Sequence, residues 1–211
     1  MPSFTREWIE QRLKTRRLVP KHPQLNVDLS RQPGDHSLNE GLAPVLPLKP
    51  AAVLVPLVER GETTTVLFTR RTAHLAHHAG QISFPGGHTE PHDECPKATA
   101  LRETEEEIGV SRRHVQVIGH LDDYVTRTGF VVTPVVGLLT PPFDVEPDPH
   151  EVAEVFEVPL SFLMDECNHQ RCSATFEGVI RHFHAIPYGE YYIWGATAGM
   201  LRNFYQILMG A

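Results

Sequence analysis

The chain has 211 residues, 41% of them hydrophobic, and a formal net charge of -7, with a pI near 6.0. That length and balance suit one globular domain with a substantial core and argue against a nucleic-acid-binding surface. No run of about 18 apolar residues appears, so no membrane span is expected. The opening MPSFTREWIEQRLKTRR lacks an apolar export core. Cys95, Cys167 and Cys172 are odd in number and have no CxxC spacing, which fits reduced thiols in a cytoplasmic protein.

In chain order, residues 3–18 read as an amphipathic helix with Phe4, Trp8, Ile9 and Leu13 as its apolar stripe. A lone helix of that length is marginal, so it should dock on the domain or on a second subunit. Residues 19–50 carry Pro, Gly and Asp without periodicity and read as an extended surface linker. Strands at 51–59 and 64–70 flank Arg60-Gly61-Glu62 as a hairpin. A histidine-bearing segment follows, then a turn-rich loop and a helix that opens after Pro96 and closes at Gly109. Strands are expected at 115–121 and 131–139 with a loop at 122–129 between them, and another at 152–156 leading into a short helix at Pro159. A second hairpin, 171–176 with 179–186, turns at Glu177-Gly178, and a final helix covers about 196–209. The order fits an α/β class with a mixed sheet in two layers between helices.

The richest stretch is Gly86 to Val110, GGHTEPHDECPKATALRETEEEIGV. Within its helix Glu103, Glu106 and Glu107 stand at i, i+3 and i+4, on one face about a turn apart, while Ala98, Leu101 and Ile108 fall on another. Like charges so placed repel, and a hard divalent cation would turn that repulsion into coordination. Arg102, four residues before Glu106, can hold that carboxylate in place. A solvated acidic face is the competing reading.

The whole string resembles the Nudix box of the Nudix hydrolases: Glu94, seven residues, Arg102-Glu103, two residues, Glu106-Glu107, one residue, Gly109-Val110. Two positions depart from that pattern. The expected Gly six residues before Glu94 is His88, so the loop carries one extra residue after Gly87, and Thr104 replaces an aliphatic residue. Upstream, Leu67-Phe68-Thr69-Arg70-Arg71-Thr72, Gly80 and Phe84-Pro85-Gly86-Gly87 resemble the additional motif of the coenzyme A pyrophosphatase branch, with Thr72 where Ser or Ala is usual and Ala76 where the pattern has Arg. Thr133-Pro134-Val135-Val136-Gly137, residues 151–160 and Tyr192-Ile193-Trp194-Gly195 extend the likeness over roughly residues 50–205.

The resemblance implies an α/β/α sandwich at 51–211, preceded by the helix and linker at 1–50. It also implies a Mg2+-dependent enzyme, with Mn2+ as a substitute, that splits coenzyme A or acyl-CoA into 3',5'-ADP and 4'-phosphopantetheine. Glu103 and Glu107 would be the main metal ligands, with Glu106 direct or through water and the backbone carbonyl of Gly86 or Gly87 nearby. Arg102 would orient the carboxylates, and Glu94 would hold the loop against the helix. Glu151 is the candidate general base, with Glu154 behind it. Arg70, Arg71, His77 and Phe84 are the candidate substrate contacts. A guanidinium is the best bidentate clamp for phosphate, so Ala76 keeps ADP-ribose, NADH or a dinucleoside polyphosphate open as the substrate. A Nudix-fold binding module without turnover is the reading from another class. A small-molecule nucleoside diphosphate is the expected partner, with no nucleic acid and no membrane, in a monomer or homodimer. His74, His77 and His78 also allow a zinc reading. Trp194, Tyr191 and Tyr192 allow adenine stacking or plain packing, and His182 and His184, alternating on a strand, read as surface or packing residues.

Overall fold

The computed structural model describes residues 4–16, 29, 32–74, 79–176 and 178–210. In chain order its helices and strands are α1 (Arg6–Arg12), β1 (Lys49–Arg60), β2 (Thr63–Arg71), β3 (Ile82–Ser83), β4 (Gly86–His88), α2 (Pro96–Ile108), β5 (Val115–His120), β6 (Tyr124–Val125), β7 (Phe130–Leu139), β8 (Val152–Pro159), α3 (Leu160–Leu163), β9 (Gln170–Phe176), β10 (Val179–Tyr188), β11 (Tyr191–Trp194) and α4 (Ala196–Met209). Among the described residues no helix is long and apolar enough to cross a membrane.

Eight strands form one mixed sheet with the central order β3-β2-β1-β7-β5. β1 and β2 make the expected hairpin, closing at Arg60 opposite Thr63. β7 lies parallel to β1 from Lys49 opposite Phe130 to Val58 opposite Leu139. That parallel partner draws Lys49 and Pro50 into β1, two residues earlier than the sequence pattern places the strand. β9, β10 and β11 form a separate antiparallel sheet.

Alternation along the strands sends neighbouring side chains to opposite faces, and each face has its own core. On one, Leu54, Leu67 and Val135 pack against Ala100, Leu101 and Ile108 of α2. On the other, Val55, Phe68 and Val136 share a cluster with Leu201, Phe204 and Leu208 of α4 and with Ile9 and Leu13. This is the mixed α/β fold with helices on both sides of the sheet.

The N-terminal helix therefore docks within its own chain. It is shorter than the pattern predicts: Thr5 caps it by accepting the Trp8 N–H at 3.3 Å, and after Leu13 the chain tightens into a 3-10 turn at Lys14–Arg16. Residues 17 and 18 lie outside the described part. In the segment read as a linker, a 3-10 turn at Asp35–Leu38 is pinned where Asp35 accepts the Tyr124 hydroxyl at 2.9 Å and the Arg127 N–H at 2.7 Å. The loop expected at 122–129 contains β6, paired with β7.

Candidate active site

The box helix forms for local reasons. Pro96 opens α2 with its φ already fixed and no N–H to satisfy. Gly109 ends the helix in the left-handed region at φ 70°, its N–H donating to Glu105. Thr104, which departs from the aliphatic pattern, is fully buried and returns its hydroxyl to the Ala100 carbonyl at 2.6 Å, so its polar atom is satisfied inside the helix.

Glu107 is the deepest of the acidic residues, 5% exposed. It accepts the Gly86 N–H at 3.1 Å and faces the Arg71 guanidinium at 3.7 Å. Burial pushes its carboxyl up from 4.5 to about 8; the Gly86 N–H and Arg71 pull the other way, while Glu103 and Glu151 add to the rise. Burial also raises the Glu103 carboxyl against the pull of Arg102, with Glu106 and Glu151 adding to it. Glu103, Glu107 and Glu151 thus feel one another's charge.

Glu151 comes from a strap that caps the helix. The Glu146 N–H donates to the Ile108 carbonyl and the Asp148 N–H to the Glu107 carbonyl, each at 2.9 Å. The Thr72 N–H then takes the Glu151 carbonyl at 2.9 Å, and the Thr72 hydroxyl takes that of His150 at 3.0 Å. Glu106 is more peripheral, its side chain 58% exposed.

The loop before the helix supplies a close approach. Gly86 and Gly87 in β4 pair with Val53 and Ala52 of β1. A Cβ on Gly87 would stand 2.7 Å from the Glu103 carboxyl atoms, and one on Gly86 would stand 2.4 Å from the Ala52 carbonyl oxygen. The loop is anchored by Phe84, 2% exposed and stacked on Phe68 with centroids 5.1 Å apart.

Arg102 uses all five guanidinium protons. Nη1 donates to Glu103 at 3.0 Å and Glu106 at 2.8 Å. Nη2 donates to the His88 carbonyl and to Asp93 Oδ2, both at 2.9 Å, and Nε to Asp93 Oδ1 at 3.2 Å. The residue that ties the loop to the helix is therefore Asp93, not Glu94, which is exposed. Asp93 also accepts the Thr99 hydroxyl at 3.0 Å and the Glu90 N–H at 2.9 Å. Its carboxyl is held down at about 2, chiefly by the Arg102 hydrogen bonds.

A cation fits this donor chemistry. Glu103, Glu106 and Glu107 offer hard carboxylate oxygens, and no thiol or imidazole is among them, as suits Mg2+ or Mn2+. Among the described residues no three His, Cys, Asp or Glu side chains already stand as a metal-holding group. Glu103 and Glu106 are drawn together on Arg102 Nη1, and Glu107 lies buried beside Arg71.

Comparison with known proteins now decides the family. The NUDIX domain family model matches residues 48–174. The uncharacterized Nudix hydrolase NudL of Photorhabdus laumondii is 40% identical over 156 residues, covering 74% of this chain and 83% of the relative. Its namesake from Yersinia pestis is 38% identical over 156 residues, covering 74% and 78%. The chain belongs to the Nudix family. It is a Nudix hydrolase acting on a diphosphate compound, and such enzymes generally use divalent metals such as Mg2+. Among solved structures, a MutT/nudix family protein from Enterococcus faecalis aligns at TM-score 0.48 and 16% identity, covering 77% of this chain and 62% of that one. RenU, a Nudix hydrolase of M. smegmatis, aligns at 0.43 and 24% identity, covering 54% and 71%.

Against the Nudix box, the residues expected to touch substrate are distributed unevenly. Arg71 lies on the α2 face, beside Glu107. Arg70 points to the other face and pairs with Glu154 at 2.6 Å, and Glu154 also accepts the Tyr191 hydroxyl at 2.7 Å. Tyr191 stacks on Phe156 at 3.7 Å. Glu154 is thus engaged on the far side of the sheet from Glu107, whereas Glu151 lies at the end of the strap that binds the last carbonyls of α2. Phe84 packs in the core of the same far face. Trp194 rests against Phe183 at 5.3 Å in the small sheet. His77, His78 and Ala76 lie outside the described residues, and His74 is exposed.

Proposed function

We propose that this Nudix hydrolase cleaves the diphosphate bond of coenzyme A or its acyl derivatives, giving 3',5'-ADP and (acyl-)4'-phosphopantetheine. The reading rests on one observation above others: Arg71, from the stretch that resembles the coenzyme A branch, stands 3.7 Å from Glu107 of the box. A residue of the stretch that resembles the substrate motif thus neighbours one of the helix that resembles the metal motif, which supports this reading. Glu103 and Glu107 would hold Mg2+, with Glu106 and the Gly87 carbonyl at the edge. When bound, the ion lowers the pKa of a water and offsets charge on the phosphate oxygens.

Glu151 would take the proton from an attacking water as its oxygen forms a P–O bond and the bridging P–O bond breaks, the bridging oxygen leaving with the other phosphate. Arg71 binds a phosphate oxygen and offsets the charge that grows on the leaving phosphate. Arg102 keeps Glu103 and Glu106 turned toward the ion. The free thiols of Cys95, Cys167 and Cys172 support a cytoplasmic location.

A second reading keeps the chemistry and changes the substrate to ADP-ribose, NADH or a dinucleoside polyphosphate. Arg70, held by Glu154, and Ala76, in place of the motif arginine, favour it, because both reduce the cationic groups available to coenzyme A. Rates on coenzyme A, acetyl-CoA, ADP-ribose, NADH and diadenosine polyphosphates with Mg2+ or Mn2+ separate the two. Coenzyme A compounds are expected to give the highest kcat/KM. Turnover of coenzyme A no faster than ADP-ribose refutes the first reading.

A further inference from the structure

Arg102 stands between two sets of oxygens. On one side Asp93, its side chain 3% exposed, grips Nε and Nη2 as a fork. On the other, Nη1 alone reaches Glu103 and Glu106. A planar guanidinium held by two atoms along one edge cannot turn about its stem, so Asp93 decides where Nη1 points. The fork itself is fixed, because Thr99 and the Glu90 N–H bind the same carboxylate.

Charge adds to geometry. Asp93 offsets the guanidinium charge and leaves that of Glu103, Glu106 and Glu107 for a dication. Without it, the full positive charge of Arg102 would fall on two of those glutamates and compete with the ion. We infer that Asp93 is a positioning residue that sets the affinity of the box helix for a divalent cation by holding and neutralising Arg102. The inference rests on the reading of this helix face as the cation site.

Mn2+ binding to the full chain without substrate, followed by electron paramagnetic resonance of the free ion, tests it, alongside thermal melting in EDTA. Asp93→Asn is expected to weaken Mn2+ binding about tenfold, the order seen when a partner of a ligating group is lost. Its kcat should recover at raised Mn2+, with KM for substrate unchanged. Thr99→Val removes one of the two hydrogen bonds that brace Asp93 but keeps its charge, its Glu90 N–H bond and its fork on Arg102, so it should lower the melting temperature and leave Mn2+ affinity within about twofold. Wild-type affinity in Asp93→Asn overturns the inference, as does an equal loss of affinity in Thr99→Val. If Asp93→Asn does not fold, Asp93→Glu carries the test: a loss of about threefold supports the role and none overturns it. Glu107→Gln serves as the reference. Undiminished Mn2+ binding there sinks the cation site itself, whereas a weakened Glu107→Gln beside a normal Asp93→Asn sinks only the role of Asp93.

Discussion

Removing the Glu107 charge should stabilise the metal-free protein while destroying its activity. The carboxyl titrates near 8 in the folded chain against an ordinary 4.5, because burial disfavours its charged form. A raised carboxyl contributes its full stability below 4.5, where both states are protonated, and loses it as pH rises through about 8. At about 1.4 kcal/mol per pH unit, the cost at pH 8 and above is about 5 kcal/mol. Glu107→Gln keeps an oxygen for the Gly86 N–H and carries no charge. Urea denaturation in EDTA at pH 5, 6.5 and 8 should therefore show wild type losing stability across that range more steeply than the variant, and falling below it at pH 8. Mg2+ should restore wild type and leave the variant unmoved, and hydrolysis should fall on the order of a hundredfold or more. A Gln variant less stable than wild type at pH 8 without metal, or one that hydrolyses normally, would refute the reasoning.

Arg71→Ala should raise KM about tenfold with a smaller loss of kcat, as expected for a lost phosphate contact; steady-state kinetics with an unchanged KM would count against that role. The two loop glycines should fail differently. Gly87→Ala presses first on the movable end of Glu103 and should keep its melting temperature while losing Mn2+ affinity. Gly86→Ala meets the Ala52 carbonyl and the Val53 Cα, 2.5 Å away, and should melt lower. Glu151→Gln should lower kcat about a hundredfold and leave KM and Mn2+ affinity nearly unchanged, which isothermal titration and kinetics read separately. Asp93, depressed from 3.8 to about 2 by Arg102, contributes about 2 kcal/mol that is complete above 3.8 and lost as pH falls through about 2. Asp93→Asn should therefore cost that much in urea at pH 7 and almost nothing near pH 2.

The acidic helix was legible because its information is local: the spacing of Glu103, Glu106 and Glu107 is a property of one helix, and Pro96 and Gly109 mark its ends. The hairpin of β1 and β2 was legible for the same reason, as two long apolar runs around a glycine turn. β3, β4, β6 and β11 were not, since two to four residues show no period and exist as strands only through their partners. Asp93 and Glu94 offer the same charge one residue apart. Only the path of the lengthened loop decides which of them meets Arg102. Phe84 sits in a motif that reads as functional, yet its ring is a core anchor, and its contribution is to fix where Gly86 and Gly87 begin. Alternation along β2 did carry the fate of its two arginines, because consecutive strand residues face opposite ways. A register shift between Arg70 and Arg71 where β8 pairs with β2 lies just where that rule is least secure.

The closing of the helix and the assembly of the site are one event. The last carbonyls of an α-helix have no partner within it, and here those of Glu107 and Ile108 are taken by the Asp148 and Glu146 N–H groups. The strap so bound is the one that carries Glu151 back toward Glu107. Gly109 permits the approach: a Cβ there would lie 2.9 Å from that of Glu146 and 3.2 Å from its nitrogen. The glycine that ends the box helix therefore has two causes, its left-handed φ and the passage of the strap. A carboxylate distant in sequence from the box helix thus reaches it through the ordinary requirement that a helix end be capped.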